Sequence, residues 1–250
     1  MAPSAYVVSI APEVAGRVVQ LPATDNKFVH KGDLLMMIDP TDYAIAVDRA
    51  EAAMTQARAN AEDAVRKARR RAQLTNLATS DEEKQTFASE AEAATATYQQ
   101  AAANLARARV DLERASIRSP VNGYVTNLLV QLGDYANIGQ NQISVVDTNS
   151  YWVDGYFEET SVGSIHEGGP AEIKLMGYSQ IVRGQVDSVA RAIDVPNAQP
   201  DRAGLASVNP IFTWVRLAQR VPVRIRIDKV PDGVRLVSGM TATVQIDPGP

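Results

Sequence analysis

The apolar positions of this 250-residue chain change their period twice. Up to about residue 40 they come in short runs broken by glycine and proline: Val7, Val8 and Ile10, then Val14, Val18 and Val19, then Leu34 to Ile38. Such runs predict short strands joined by turns. From Thr41 to Ser119 glycine and proline vanish, alanine dominates, and the spacing becomes helical. Tyr43, Val47, Ala50, Met54, Ala57, Ala61, Ala64 and Ala68 follow alternating steps of four and three, the pattern of a heptad seam. Phe87, Ala91, Ala94, Tyr98, Ala101, Leu105, Ala108, Leu112 and Ala115 repeat that stepping. Between the seams, Ser80 and Glu83 have the spacing of a capping box, which predicts a fresh helix N-terminus. Two arms of about 37 residues, at ~1.5 Å each, predict an antiparallel rod of roughly 55 Å. Beyond residue 149 the alternation returns to period two, around Tyr151, Ala171, Gln180, Val221 and Ala242, which predicts an all-β domain. Residues 195–210 have loop chemistry throughout and are long for a connection inside a compact domain.

The β segments on either side of the helical stretch are copies of each other at an offset of 107 residues. Val14, Gly16 and Val18 recur as Val121, Gly123 and Val125; Leu21 recurs as Leu128; Val29 and Gly32 recur as Ala136 and Gly139. Asn26 and Gly133 hold the equivalent turn, and both residue types tolerate positive φ. Each copy closes on an apolar run and an aspartate, Asp39 or Asp147, the second after one residue of slippage. A hairpin that leaves one copy and returns to the other is an insertion into a single small β domain. The expected class is α+β, mostly β, divided into residues 1–40, 41–115, 116–148 and 149–250. Gly16 and Gly123 are expected where a side chain is poorly tolerated, because the same glycine recurs at the same place in both copies.

Composition narrows the function. With 45% hydrophobic and 22% charged residues the chain can bury an ordinary core. A net charge of −4 leaves no basic surplus, so nucleic acid is not an expected partner. The absence of cysteine removes disulfides, thiolate nucleophiles and Cys-ligated metals together. No window of about 18 apolar residues and no signal-peptide pattern is present, so neither a membrane span nor an export signal is predicted. His30 and His166 lack a second histidine at ligand spacing and are expected at the surface. No phosphate-binding, dinucleotide-binding or nucleophile-elbow motif occurs, and on a strand the adjacent Glu158 and Glu159 would point to opposite faces. No catalytic, cofactor-binding or metal-ligating residue is therefore expected. The run from Arg66 to Arg71 reads as a solvated cationic helix end, and Arg224 and Arg226, two apart, read as a solvated strand face.

Two half motifs of the lipoyl or biotinyl type around an alanine-rich coiled-coil hairpin resemble the HlyD-like membrane fusion proteins, the periplasmic adaptors. Ala5-Tyr6-Val7 with Ile10, Pro12, Gly16 and Val18 looks like the start of the lipoyl domain in the EmrA and AaeA branches. Ile38-Asp39-Pro40 with Tyr43 resembles their junction into the hairpin, and Leu112 to Pro120 their exit from it. Tyr156 to Thr160, Gly184 to Val189 and above all Trp214 to Ile225 are similar to the AaeA type, which is associated with export of aromatic carboxylic acids. The resemblance implies a split lipoyl/biotinyl-like β domain with an inserted antiparallel hairpin, followed by a small β-barrel. It implies the adaptor subunit of a tripartite efflux pump for small molecules such as aromatic carboxylic acids or drugs, linking an inner-membrane transporter to a TolC-type outer-membrane channel. It further implies a homo-oligomeric ring, and a periplasmic location anchored to the inner membrane by an N-terminal helix upstream of Ala5.

By the same resemblance, the channel contacts at the hairpin tip are Arg70, Leu74 and Ser80, and Gly16, Gly32, Gly123 and Gly139 are the structural lipoyl glycines. The spacing from Leu74 to Ser80 is like that of the AaeA branch and one residue shorter than in the common drug-efflux adaptors, and Ser80 has the competing task of capping the second arm. Arg71 and Thr75 occupy the next seam positions, so Leu74 falls off the seam. An adaptor for type I protein secretion shares the fold but usually has a much longer helical region. A lipoyl or biotin carrier needs a modifiable lysine in the turn that the hairpin replaces here.

Overall fold

In the computed structural model, which describes residues 2–74, 80–193 and 218–247, five strands precede the helices: β1 (Ala2–Ser4), β2 (Val7–Ile10), β3 (Gly16–Gln20), β4 (Phe28–Val29) and β5 (Leu34–Ile38). The helices α1 (Thr41–Ala72) and α2 (Asp81–Arg114) follow, and then β6 (Ser116–Arg118), β7 (Gly123–Leu128), β8 (Tyr135–Ala136) and β9 (Ile143–Asp147). The chain continues through β10 (Trp152–Glu158), the single turn α3 (Glu159–Val162), β11 (Pro170–Leu175), β12 (Ile181–Val189), β13 (Arg220–Lys229) and β14 (Ala242–Ile246). Val8–Val145 forms one compact unit; Met1–Val7 with Val146–Pro250 forms the other.

The helical hairpin follows from the seams. On α1 the least exposed stripe runs from Tyr43 through the buried Ala57 and Ala61 to Ala68, and on α2 from Phe87 through the buried Ala91 and Leu105 to Leu112. Alanine at most of these positions lets the two backbones approach closely. Helices of 32 and 34 residues reach about 50 Å at ~1.5 Å per residue, somewhat shorter than the sequence implied because residues 73–80 carry no helix where they are described. Exposed pairs such as Arg58–Glu62 at 2.9 Å, Lys67–Asp63 at 2.8 Å and Arg107–Asp111 at 3.0 Å lie one turn apart, each contributing a few tenths of a kcal/mol at about the level of surface pairs. At its root the hairpin is tied to the β strands. Tyr43 donates from its hydroxyl to the Ala15 carbonyl at 2.7 Å, Arg114 pairs with Glu13 at 2.7 Å, and the Ile38 amide donates to the Ala115 carbonyl at 2.8 Å.

The internal repeat is realised as two matching sheets, ordered β2-β9-β7-β4 and β6-β5-β3-β8. Shifting the first by 107 residues gives the second strand for strand, so each sheet takes two strands from each half of the repeat. The pairings obey the same operation. Gly16 opposes Ala136 as Val29 opposes Gly123, and Arg17 opposes Tyr135 as Phe28 opposes Tyr124. The loop hydrogen bonds repeat as well: the Asn26 amide donates to Val125 and the Gly133 amide to Val18, at 2.8 and 2.9 Å, while Gly32 donates to Ser119 and Gly139 to Pro12. Asn26 and Gly133 both have positive φ, 60° and 95°. One core is shared between the sheets, centred on Val18, Leu35, Met36, Ile38, Val125, Ile143 and Val145.

In the other unit a six-stranded antiparallel sheet runs β1-β10-β13-β12-β11-β14. Strict alternation of exposed and buried residues along β11 and β12 turns Ala171, Ile173, Leu175, Val182 and Val186 inward, against Val153, Val223 and Ile225. Gly184 sits where β12 meets β13, and any Cβ there would collide with the Arg226 carbonyl. The expected loop at residues 195–210 lies outside the described residues.

Candidate functional site

Geometry sets the hairpin tip apart. Towards the end of α1 the basic residues sort into two groups. Arg66 and Lys67 pair with Asp63 at 3.6 and 2.8 Å. Arg71 turns into the seam, where its guanidinium lies 5.1 Å from the centre of the Phe87 ring and 3.7 Å from the Glu83 carboxylate. Arg71 thus closes the hairpin by joining the last turn of α1 to the first turns of α2. Arg69 and Arg70 are exposed and make no ion pair among the described residues.

Leu74 lies one residue beyond the α1 cap at Gln73, with 40% of its surface exposed and its amide donating to the Arg71 carbonyl at 3.1 Å. Ser80 is the N-cap of α2: its hydroxyl accepts from the Glu83 amide at 3.1 Å, and its carbonyl accepts from Lys84. Asp81, Glu82 and Glu83 occupy the first turn, where negative charge complements the helix dipole. Arg70, Leu74 and Ser80 are therefore all at the tip end of the hairpin, and residues 75–79 between them lie outside the described residues. The tip end of the hairpin thus carries an exposed leucine and two guanidinium groups that make no ion pair among the described residues.

The glycines fall into distinct settings. Gly32 and Gly139 share positive φ, 93° and 75°, in equivalent turns with open space around the missing Cβ. At Gly16 a Cβ would lie 2.6 Å from Cγ2 of the buried Ile38. Gly123 opens β7, buried opposite Val29. His30 is exposed and hydrogen-bonds Asp33 through its amide; His166 is exposed beside the Ser164 carbonyl; Glu158 ends β10 and Glu159 begins α3. Among the described residues no three of His, Cys, Asp and Glu gather as metal ligands, and no helix is long and apolar enough to cross a membrane.

Two arrangements were missed from sequence. Arg224 does not simply face solvent: it lies over the Trp152 ring at 4.8 Å and pairs with Asp154 at 3.3 Å, while the Trp152 indole donates to Asp154 at 2.9 Å and Tyr6 packs 4.7 Å from the same ring. The alternation of Trp152 and Asp154 on one strand face was visible; the register that sets Arg224 opposite Asp154 was not. Tyr43, assigned to the helical seam, also packs on the β core and bonds Ala15.

Comparison with known proteins follows the same division. Residues 6–148 match the model of the RND MFP barrel-sandwich hybrid domain, and residues 150–247 that of the AAEA-like beta-barrel domain. The uncharacterized protein YdhJ of Escherichia coli K12 is 42% identical over 239 residues, 96% of this chain and 84% of its own. In fold the chain is similar to a candidate efflux transporter of Bacteroides eggerthii DSM 20697, at a TM-score of 0.72 and 19% identity, covering 98% of this chain and 66% of that one. It is also similar to the membrane fusion protein Spr0693 of Streptococcus pneumoniae R6, at a TM-score of 0.67 and 14% identity, covering 100% and 99% of the two chains.

Proposed function

The chain belongs to the membrane fusion protein family of periplasmic adaptors, and on that premise we propose that it is the adaptor subunit of a tripartite efflux pump, joining an inner-membrane transporter to a TolC-type outer-membrane channel. The observation that carries this reading is the tip of the hairpin. Two long helices, rooted in the β unit by Tyr43 and Arg114, hold at their far end an exposed Leu74 and the exposed Arg69 and Arg70, which make no ion pair among the described residues. A rod that spends so much chain on reach, and ends in an apolar and cationic surface, suits a bridge to a helical partner. Leu74 is the anchor; Arg70 orients it; Ser80 serves first as the cap of α2.

In this reading the family's N-terminal anchor lies upstream of Ala5 and holds the protein at the inner membrane with its β domains in the periplasm. Tethering concentrates the copies, which favours assembly into a ring even when the soluble part associates weakly. The cargo is a small molecule such as an aromatic carboxylic acid or a drug, which the match of residues 150–247 to an AAEA-like barrel supports.

The test is Leu74→Asp in cells. Export is abolished while helix content and melting temperature stay nearly unchanged; loss of export together with a melted hairpin makes Leu74 core instead, and unaffected export removes the tip from the mechanism. Deleting the gene and profiling sensitivity to small aromatic acids against protein secretion separates the two cargo classes.

A further inference from the structure

Arg71 breaks the pattern of its own helix. From Ala57 to Ala68 every seam position of α1 is alanine, and the outer seam of α2 has Ala91 and Ala94 between the larger Phe87 and Tyr98. Knobs this small fill shallow holes, so the outer half of the seam allows close approach but resists splaying only weakly. At the root, Tyr43 and Arg114 fix the two arms on the β strands. About 5° of splay between arms about 50 Å long would still displace their far ends by about 4 Å. Leu74 would move with the end of α1.

The next seam position holds Arg71 in place of another alanine. Its guanidinium lies 5.1 Å from the centre of the Phe87 ring and 3.7 Å from the Glu83 carboxylate. Of the basic residues from Arg66 to Arg71, only Arg71 makes an ion pair with α2 among the described residues. Backbone bonds extend this link in both directions. The Arg71 carbonyl accepts from the Leu74 amide at 3.1 Å, and the Glu83 amide donates to the Ser80 hydroxyl at 3.1 Å. One side chain thus joins Leu74 and Ser80, the two positions that bound residues 75–79. The Arg71 and Glu83 side chains are 41% and 43% exposed, so the clamp adds little to stability. A charged residue in an apolar seam specifies geometry, and does so at a cost in stability.

We propose that Arg71 is the positioning residue of the tip: held on Phe87 and Glu83, it keeps the end of α1 against the start of α2 and so fixes where Leu74 is presented. The partner meets Leu74, not Arg71. The proposal rests on the docking role given to the tip above and adds the residue that sets its geometry. Apparent affinity for the partner then follows the fraction of molecules whose tip is closed.

The chain has no cysteine, so pairs of spin labels can be placed cleanly in the full-length protein. Ala72→Cys with Ala88→Cys reports the tip, and Ala52→Cys with Ala103→Cys reports the half nearer the root; all four alanines are exposed. With Arg71 in place both pairs give one narrow distance. Arg71→Ala broadens the tip distance, while the root distance and the melting temperature stay nearly unchanged. Export falls with the lost narrow population, about twofold when half of it is lost. Arg71→Lys keeps a cation for both partners and retains most of the narrow population and of the export. An unchanged tip distance in Arg71→Ala overturns the clamp, whatever happens to export. A broadened tip with full export overturns its part in presenting Leu74, and equal broadening by Arg71→Lys and Arg71→Ala overturns the part of the cation. Leu74→Asp leaves the tip distance narrow. If export by Leu74→Asp is also unaffected, the docking reading falls while the clamp stands as a feature of the hairpin.

Discussion

Gly16 and Gly32 illustrate how the same residue type answers different demands within one repeat. At Gly32 the backbone is left-handed and the surrounding space is open, so Gly32→Ala is expected to cost about 1 kcal/mol through backbone strain alone. At Gly16 the missing Cβ makes room for the Ile38 methyl, so Gly16→Val should destabilise the β unit by about 1–3 kcal/mol, read by thermal melting. Combining Gly16→Val with Ile38→Ala should recover part of the loss if the clash is the cause. Asp39 poses a different question. Its carboxylate accepts from the Thr41 hydroxyl at 2.6 Å and the Thr41 amide at 3.0 Å, and these bonds, with Arg17 adding a weaker pull, hold its pKa below the ordinary value. A depressed folded-state pKa means that the contribution is present above the unfolded value, about 4, and is lost as pH falls through the folded one. Melting curves of the wild type and Asp39→Asn should therefore differ at neutral pH and converge in acid. The recurrence of Gly16 and Gly32 was legible because an offset repeat is a one-dimensional pattern. The reason for Gly16 was not, because Ile38 is distant in sequence and reaches it only through the pairing of β3 with β5.

At the scale of the element, the hairpin was the most legible part of the chain, since a seam of alternating steps needs only the period of a helix to be read. Every seam position named from Tyr43 to Ala68 is at least partly buried, and Ser80 caps α2 through Glu83 as its spacing implied. What the period could not reveal is where a helix meets something other than its partner. Tyr43 occupies a seam position and yet anchors α1 to Ala15, and Arg71 occupies one and yet spans Phe87 and Glu83. Ser80→Ala should lower stability by about 1 kcal/mol, while Ser80→Asp retains the cap. On the proposed adaptor reading, export by Ser80→Asp then separates the two tasks given to this residue: wild-type export makes capping the whole of its role, and loss of export at unchanged melting temperature adds a contact of its hydroxyl with the proposed channel. The strand array of the second unit was equally readable from alternation. Its Trp152, Asp154 and Arg224 cluster was hidden because cross-strand register has no signature in a single strand.

For the whole molecule the decisive feature is the exchange of strands between the halves of the repeat. Of the first half's pairings only β3 with β5 is internal; β2, β4, β5 and β3 otherwise pair with β9, β7, β6 and β8. During synthesis the first forty residues therefore emerge more than seventy residues ahead of most of their partners. Long-range pairing of this kind is slow, because loop closure must precede any reward. The hairpin changes that arithmetic. Helical contacts within each arm are local and are expected to form first, and once α1 and α2 are zipped, Ile38 and Ala115 stand a hydrogen bond apart. Glycine at the exposed Ala52 and Ala59, each costing about 1 kcal/mol of helix, is accordingly expected to slow the refolding of the β unit, measured by pulsed hydrogen exchange at the Val18 and Val125 amides. Unchanged refolding would mean that the strands find each other unaided. If that slowing is seen, the hairpin acts as an assembly jig for the β unit, and a nascent chain stopped before Arg114 would leave its opening strands as exposed edges for chaperones to guard.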